Sequence, residues 1–168
     1  MTVSIRPAAS GDLGAIRDVG HRTWPATYSL AGEEYIASGL GRWWSLEALQ
    51  RVQQNTTVLV AVEDEDVIGV GNIDLRPEIP IIWILYVLPN RQHAGVGSAL
   101  LNNLLTHVPA HIGRVHLAYV DGNGPAAQFY ARHGFSEIRR EPNDQPTWPA
   151  EIWVERSTRP PANPDLED

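Results

Sequence analysis

A short glycine-containing stretch follows the most apolar segment of the chain and has the residue types of an anion-binding turn. Ile81–Leu88 is an apolar run bounded by Pro80 and Pro89, which predicts a buried strand. From Gly97 onward leucines recur at helical spacing, so a helix is expected to begin there. The first amides of a helix have no internal partner, and glycine lets a bulky anion approach the main chain. The pattern therefore predicts a phosphate-binding turn between strand and helix.

The spacing of the glycines separates this turn from two common phosphate-binding motifs. A Rossmann turn needs a third glycine, and a P-loop ends in Gly-Lys-Ser/Thr; neither follows Gly95-Val96-Gly97. The chain instead carries Gln92-x-x-Gly95-x-Gly97 after Leu85-Tyr86-Val87-x-Pro89. This pattern resembles the acetyl-CoA signature of the GNAT superfamily of N-acetyltransferases.

A second stretch resembles the other GNAT motif, Asn-x-x-Ala-x-x-x-Tyr-x-x-x-Gly-Phe. The residues in register are Asn123, Ala126, Tyr130, Gly134 and Phe135. The two motifs are separated by about one helix and one strand, as in that family. Either Asp121 or Asn123 can cap a helix here, and Gly134 suits the end of that helix. Together the motifs make the resemblance specific over residues 57–135.

The resemblance implies a cosubstrate and a place for it. GNAT enzymes transfer an acyl group from acyl-CoA directly to an amine, through a tetrahedral intermediate. The pyrophosphate is expected on the amides at the helix start, and the pantetheine arm along the main chain near Tyr86 and Val87, where an amide could also stabilise the oxyanion. The implied acetyl-CoA-binding residues are Tyr86, Val87, Gln92, His93, Ala94, Gly95, Val96, Gly97, Ser98, Asn123, Ala126 and Tyr130.

Tyr130 is the expected catalytic acid because it occupies the tyrosine position of the second motif. The leaving group is a thiolate whose conjugate acid has a pKa of about 8.5, and a phenol with a pKa of about 10 can donate a proton to it. The alternative is that Tyr130 only packs against the cofactor.

The general base is not identified by the sequence. An alkylammonium with a pKa of about 10.4 is neutral in about one molecule in 2,500 at pH 7. Many family members carry a glutamate early in the central strand, but this chain has Ile81 there. The remaining candidates are Asp74, Glu78, His116 and Asp121. Water with a main-chain relay, or an acceptor amine of low pKa, would need none of them.

Aromatic residues concentrate in residues 23–44, a region that contributes to the acceptor pocket in GNAT folds. Trp24, Tyr28 and Trp43 are therefore candidates for an aromatic acceptor site. Ordinary packing of helices against the sheet explains the same residues equally simply.

Composition excludes several classes of site. The chain has 168 residues, a net charge of −7 and no cysteine. A disulfide, a thiolate metal site and a cysteine nucleophile are excluded, and without a basic stripe we expect no nucleic-acid partner. No apolar run approaches the ~20 residues of a membrane span, and the N-terminus lacks the apolar core of a signal peptide. We expect a cytoplasmic protein that needs no metal; a homodimer is an expectation from the resemblance alone.

The periodicity of the chain predicts the elements that position these motifs. Apolar strand patterns alternate with helical ones, which predicts one α/β domain with a mixed central sheet of six or seven strands flanked by helices. We expect the domain to cover residues 1–156. Residues 157–168 are rich in proline and acidic residues, so a disordered tail is predicted there.

Three functions remain after these observations. The first is an acetyl-CoA-dependent N-acetyltransferase acting on a primary amine of a small molecule or protein. The second is a domain of the same fold that binds acyl-CoA without turnover, either as a sensor or as an interaction domain that recruits partners. The third, a nucleotide-binding module that matches the first motif by chance, is weakened by the second motif.

Overall fold

The chain folds into eight strands and five α-helices over the part that the computed structural model describes, residues 2–159. In chain order these elements are β1 (Val3–Pro7), α1 (Leu13–Thr27), α2 (Glu33–Trp43), α3 (Leu46–Asn55), β2 (Thr57–Glu63), β3 (Asp66–Ile73), β4 (Ile81–Ile82), β5 (Leu85–Val87), α4 (Val96–Leu105), β6 (Arg114–Val120), α5 (Gly124–Arg132), β7 (Ser136–Glu141) and β8 (Glu151–Ser157).

The strands form two four-stranded sheets. One has the order β1-β2-β3-β5, and its neighbours are all antiparallel. The other has the order β4-β6-β8-β7, in which only β4 and β6 run parallel. The predicted single α/β domain with mixed strand pairing is confirmed. Within the described residues it has eight strands rather than six or seven, because the expected central strand is divided into two.

The division of the central strand corrects the prediction of one continuous strand over Ile81–Leu88. β4 pairs with the second sheet and β5 with the first, so the chain changes sheets at Trp83 and Ile84. The buried Asn72 side chain stabilises the crossing: its Oδ1 accepts hydrogen bonds from Trp83 N at 3.1 Å and Ile84 N at 2.8 Å. A side chain thus satisfies two amides that strand pairing would otherwise satisfy.

One hydrophobic core joins the two sheets. It includes Val115 and Leu117 of the second sheet together with the apolar face of α4, where Leu100 and Leu104 are fully buried. A Cβ at Gly71 of β3 would lie 2.8 Å from Leu104 Cδ1, so glycine allows α4 to pack closely against that strand. The close packing of α4 against β3 and the core therefore fixes the position of its first turn.

The C-terminal part of the chain remains regular slightly beyond the expected domain boundary at residue 156. Ser157 belongs to β8, and Thr158 N donates to Gly113 O at 2.9 Å. Residues 160–168, most of the predicted tail, lie outside the described residues. Across residues 2–159, no helix is both long and apolar enough to cross a bilayer.

Candidate active-site cleft

A cleft of about 510 Å³ lies between β5 of one sheet and β6 of the other, and the starts of α4 and α5 border it. It exists because the central segment leaves one sheet for the other. Ten of the twelve residues predicted to bind the cofactor line it: Tyr86, Val87, Gln92, His93, Gly95, Gly97, Ser98, Asn123, Ala126 and Tyr130.

The other two predicted residues lie beside the cleft. Ala94 is exposed in the turn, and Val96, the first residue of α4, is buried in the core at 3% exposure. Their side chains do not line the cleft.

The main chain of β5 presents a free edge to the cleft. Its hydrogen bonds to β3 include Leu88 N to Ile68 O at 2.8 Å and Asn72 N to Ile84 O at 2.9 Å. In an antiparallel pair alternate residues bond to the partner strand, so the main-chain groups of Leu85 and Val87 point the other way. This edge has the geometry to accept an extended ligand as an additional strand.

The turn before α4 presents its amides to the same cleft. Gly95 is the N-cap residue with φ 81°, a left-handed conformation that favours glycine. The first helical hydrogen bond runs from Ala99 N to Gly95 O at 3.0 Å, so the amides of residues 96–98 precede it. The Gln92 side chain donates to Val87 O at 3.0 Å and fastens the turn to β5.

Asn123 is the N-cap of α5, as its position in the second motif predicts. Its Oδ1 accepts from Ala126 N at 3.3 Å. The side-chain carbonyl is therefore engaged in its own helix, while the residue still lines the cleft.

Tyr130 projects from α5 into the cleft and stacks on Tyr119 of β6, with ring centroids 6.0 Å apart. Burial raises the pKa of its phenol above the usual value, and the nearby Tyr28 adds to the shift. The hydroxyl is therefore protonated at neutral pH and is a proton donor rather than a base.

A second pair of tyrosines forms the inner wall. Tyr28 is the residue that follows α1, and Tyr86 lies on β5. Their hydroxyl oxygens are 2.6 Å apart. Burial raises the pKa of both phenols. Neither is a tyrosinate at neutral pH, so the pair offers neutral donors and acceptors.

Only one of the three aromatic residues proposed for the acceptor site lines the cleft. Tyr28 does so, whereas Trp24 is buried at 6% exposure and packs on Tyr28 with centroids 4.4 Å apart. Trp43 is 53% exposed, away from the cleft, under the Arg42 guanidinium. Trp24 therefore fits the packing alternative, whereas Trp43, exposed and outside the cleft lining, fits neither interpretation.

The four candidate bases all lie outside the cleft lining. Asp74 forms a 2.9 Å ion pair with Arg76, which holds the pKa of its carboxyl below the usual range. The remaining three are placed as follows: His116 Nε2 lies 2.7 Å from Glu155 Oε2, Asp121 pairs with Arg140, and Glu78 is exposed. Among the described residues that line the cleft, none is aspartate or glutamate.

Trp83 and His133 are among the lining residues that were not anticipated from the sequence. Trp83 lies at the rim beside the Asn72 crossing and is 52% exposed. His133 follows α5, and its Nε2 lies 3.0 Å from Ser98 Oγ. His133 falls at an unspecified position of the second motif, so the motif carries no signal for it.

No cluster of three or more histidine, aspartate or glutamate side chains with metal-binding geometry occurs within residues 2–159.

Comparison with known proteins agrees with this geometry. Residues 54–137, half of the chain, match the model of the acetyltransferase (GNAT) domain. The chain therefore belongs to the GNAT acetyltransferase family. A comparison with curated protein sequences finds no match.

Solved structures agree on the fold. The PaiA N-acetyltransferase of Thermoplasma acidophilum, in complex with coenzyme A, is 24% identical with a TM-score of 0.81, covering 94% of this chain and 99% of that one. The ribosomal-protein-S18-alanine N-acetyltransferase of Escherichia coli is 18% identical with a TM-score of 0.74, covering 99% and 100%. A GCN5-related N-acetyltransferase of Rhodopseudomonas palustris is 19% identical with a TM-score of 0.80, covering 94% and 96%.

Proposed function

We propose that the protein transfers an acetyl group from acetyl-CoA to a primary amine of a small molecule or protein. One observation carries the proposal: a single cleft brings together the free edge of β5, the amides at the start of α4 and the Tyr130 hydroxyl. These are the three groups that binding a thioester of coenzyme A and releasing its thiolate require.

The start of α4 binds the pyrophosphate in this proposal. The amides of residues 96–98 donate to phosphate oxygens, and the helix dipole adds a partial positive charge. Binding by amides is consistent with the net charge of −7, since it needs no general positive field.

The edge of β5 binds the pantetheine arm. The arm contains two amides, which pair with the outward N–H and C=O groups of Leu85. Val87 O already accepts from Gln92, and the Val87 N–H is left to donate to the thioester oxygen as negative charge develops on it.

Tyr130 acts on the leaving group. The amine nitrogen forms a bond to the acetyl carbon, the carbon–sulfur bond breaks, and the phenol of Tyr130 donates its proton to the departing thiolate. Burial raises the pKa of Tyr130, so its phenol is protonated at neutral pH but is a weaker acid than an exposed phenol. Water returns a proton to the phenolate after the thiol has left.

The proton released by the amine leaves through water. None of the described residues lining the cleft carries a carboxylate, and the Tyr28–Tyr86 pair is neutral but can order a water chain through its hydroxyls. In this proposal the amine binds as the free base or loses its proton to water, and acceptors of low pKa are favoured.

The experiment that tests this function combines calorimetric titration with acetyl-CoA and a thiol-release assay over a panel of amines. We expect acetyl-CoA binding, and release of coenzyme A with at least one amine. Failure to bind acetyl-CoA would remove the proposal.

A sensor that binds acyl-CoA without turnover is the second candidate, favoured by the lack of a carboxylate among the described cleft residues. Binding without thiol release, across amines with pKa values from about 5 to about 10, would support the sensor over the enzyme.

A further inference from the structure

A second, smaller pocket adjoins the cleft on the outer side of α4 and α5. It is lined by Asn102 of α4, Arg132, His133 and Gly134 at the end of α5, and Arg156 and Ser157 of β8. Arg132 and His133 line both this pocket and the cleft, so the two spaces are neighbours.

The charge of the residues that line the pocket is opposite in sign to the net charge of the chain. The chain carries −7 overall, yet the residues lining the pocket include two arginines and no acid. Among the ion pairs within residues 2–159, none involves Arg132 or Arg156, whereas Arg139 and Arg140 on the neighbouring β7 are both paired. Two unpaired guanidinium groups on separate elements suit an anion with several oxygens.

His133 fixes the distance between this pocket and the start of α4. Its Nδ1 lies 2.8 Å from Phe129 O, which can only accept, so Nδ1 carries the proton. Nε2 then accepts from the Ser98 hydroxyl at 3.0 Å. This bond ties the end of α5 to the first turn of α4 and holds Arg132 beside it.

The spacing along α4 matches two phosphates on one ligand. Ser98 and Asn102 are four residues apart, on one face of the helix and about 6 Å apart along its axis. Coenzyme A carries its pyrophosphate and its 3′-phosphate on one ribose ring, so the two groups lie within the width of a sugar. A pyrophosphate at the helix start therefore places the 3′-phosphate near the second pocket.

We propose that this pocket binds the 3′-phosphate of the cosubstrate through Arg132 and Arg156. The inference rests on the proposed function, because it takes coenzyme A as the ligand of the cleft. The protein would then discriminate coenzyme A from its 3′-dephospho form.

The test compares the affinities of coenzyme A and 3′-dephospho-coenzyme A, by calorimetry, for the wild type, Arg132→Gln, Arg156→Gln and the double variant. Arg17→Gln, at an exposed position on α1 away from both pockets, removes the same charge and is the matched control. Thermal melts check that each variant is folded; Arg132 is exposed, so its replacement is tolerated even if that of Arg156 is not.

We expect the wild type to bind coenzyme A at least about tenfold more tightly than the dephospho form, since charge-assisted hydrogen bonds are lost with the phosphate. Each pocket variant should weaken coenzyme A binding by about three- to tenfold and leave the dephospho form within twofold. The Arg17→Gln control should keep the wild-type preference.

Two results overturn the inference while acetyl-CoA binding stands: equal affinities of the wild type for both ligands, or pocket variants that weaken both ligands equally. Binding of neither ligand would instead remove the proposed function, and the inference with it.

Discussion

The two sides of the cleft are built in different ways. On the side where we propose that the cofactor binds (the cofactor side), one contiguous stretch from β5 to the first turn of α4 supplies the main-chain groups. On the side where we propose that the acceptor reacts (the acceptor side), the tyrosine hydroxyls come from separate elements: Tyr28 follows α1, Tyr86 lies on β5 and Tyr130 on α5.

This difference separates what a local motif can report from what needs the tertiary fold. A turn that must present amides requires glycine at Gly95, and that requirement is visible in the sequence. A hydroxyl pair such as Tyr28 and Tyr86 joins residues 58 positions apart, and nothing near either one predicts the other.

Removing the Tyr130 hydroxyl is the most severe test of the acceptor side. Tyr130→Phe should lower turnover by about 10²- to 10⁴-fold, the usual contribution of a general acid, and leave acetyl-CoA affinity within about twofold. Thiol-release kinetics and calorimetry measure the two effects. Tyr35→Phe removes a phenol outside the cleft lining and should keep normal turnover; unchanged turnover in Tyr130→Phe would remove the acid role.

Breaking the crossing between the sheets should affect both sides at once. Asn72→Ala leaves the part-buried amides of Trp83 and Ile84 without their acceptor, so we expect a loss of about 2–4 kcal/mol in the free energy of unfolding. Urea denaturation gives the value. Asn103→Ala, at an exposed position on α4, should change it by less than about 0.5 kcal/mol. Similar small losses in both variants would contradict the role of Asn72.

The glycine of the turn tests the cofactor side by itself. At φ 81°, a Cβ meets no atom within 4 Å, so Gly95→Ala should cost about 1–2 kcal/mol through backbone strain alone. If the turn relaxes to relieve the strain, its amides move and acetyl-CoA affinity falls, by about tenfold for one lost charge-assisted bond. The matched control is Gly124→Ala at the start of α5, where the Cβ also meets no atom but φ is not positive. Equal affinities and stabilities for the two variants would exclude the strained turn as the binding element.

Replacing Asp74 should give the smallest effect of these substitutions. It tests whether this carboxylate has a structural or a catalytic role. The hydrogen bond from Arg76 lowers the pKa of the Asp74 carboxyl in the folded protein. The ionised carboxyl therefore contributes its full stabilisation above the pKa of the unfolded state, about 3.9, and this contribution is lost as the pH falls through the lower pKa of the folded state. Asp74→Asn should cost about 0.5–1 kcal/mol at neutral pH, and the difference from the wild type should shrink below about pH 4. Turnover at neutral pH should be unchanged; a large loss of turnover with normal stability would restore Asp74 as a base.

Most of the fold follows from periodicity, and the exception is instructive. The bounds of β2, β6 and α3 coincide with apolar runs of strand length or with apolar residues at helical spacing, so the sequence pattern accounts for these elements. The division of Ile81–Leu88 was not expected, because all eight residues favour a strand. The cause lies on another strand. Asn72, the one strongly polar residue in the apolar part of β3, accepts hydrogen bonds from the amides of Trp83 and Ile84, where the strand is interrupted.

The predictions of site residues also depend on whether the cause is local in the sequence or lies in contacts between distant residues. The turn and the capping Asn123 have local causes and lie where the motifs place them. Trp24 and Trp43 have the composition of an acceptor site, but packing directs one into the core and the other to solvent. His133 contacts Ser98, 35 positions away, only in the folded protein, so the local sequence does not indicate its place in the site.

The placement of the tryptophans also decides how the protein can be observed. Of the two indoles more than half exposed in the described chain, Trp83 lines the cleft and Trp43 lies away from it. A ligand that enters the cleft changes the polarity around Trp83 and leaves Trp43 in water. Intrinsic fluorescence in a Trp43→Phe background therefore gives an optical signal of occupancy that needs no label and no turnover.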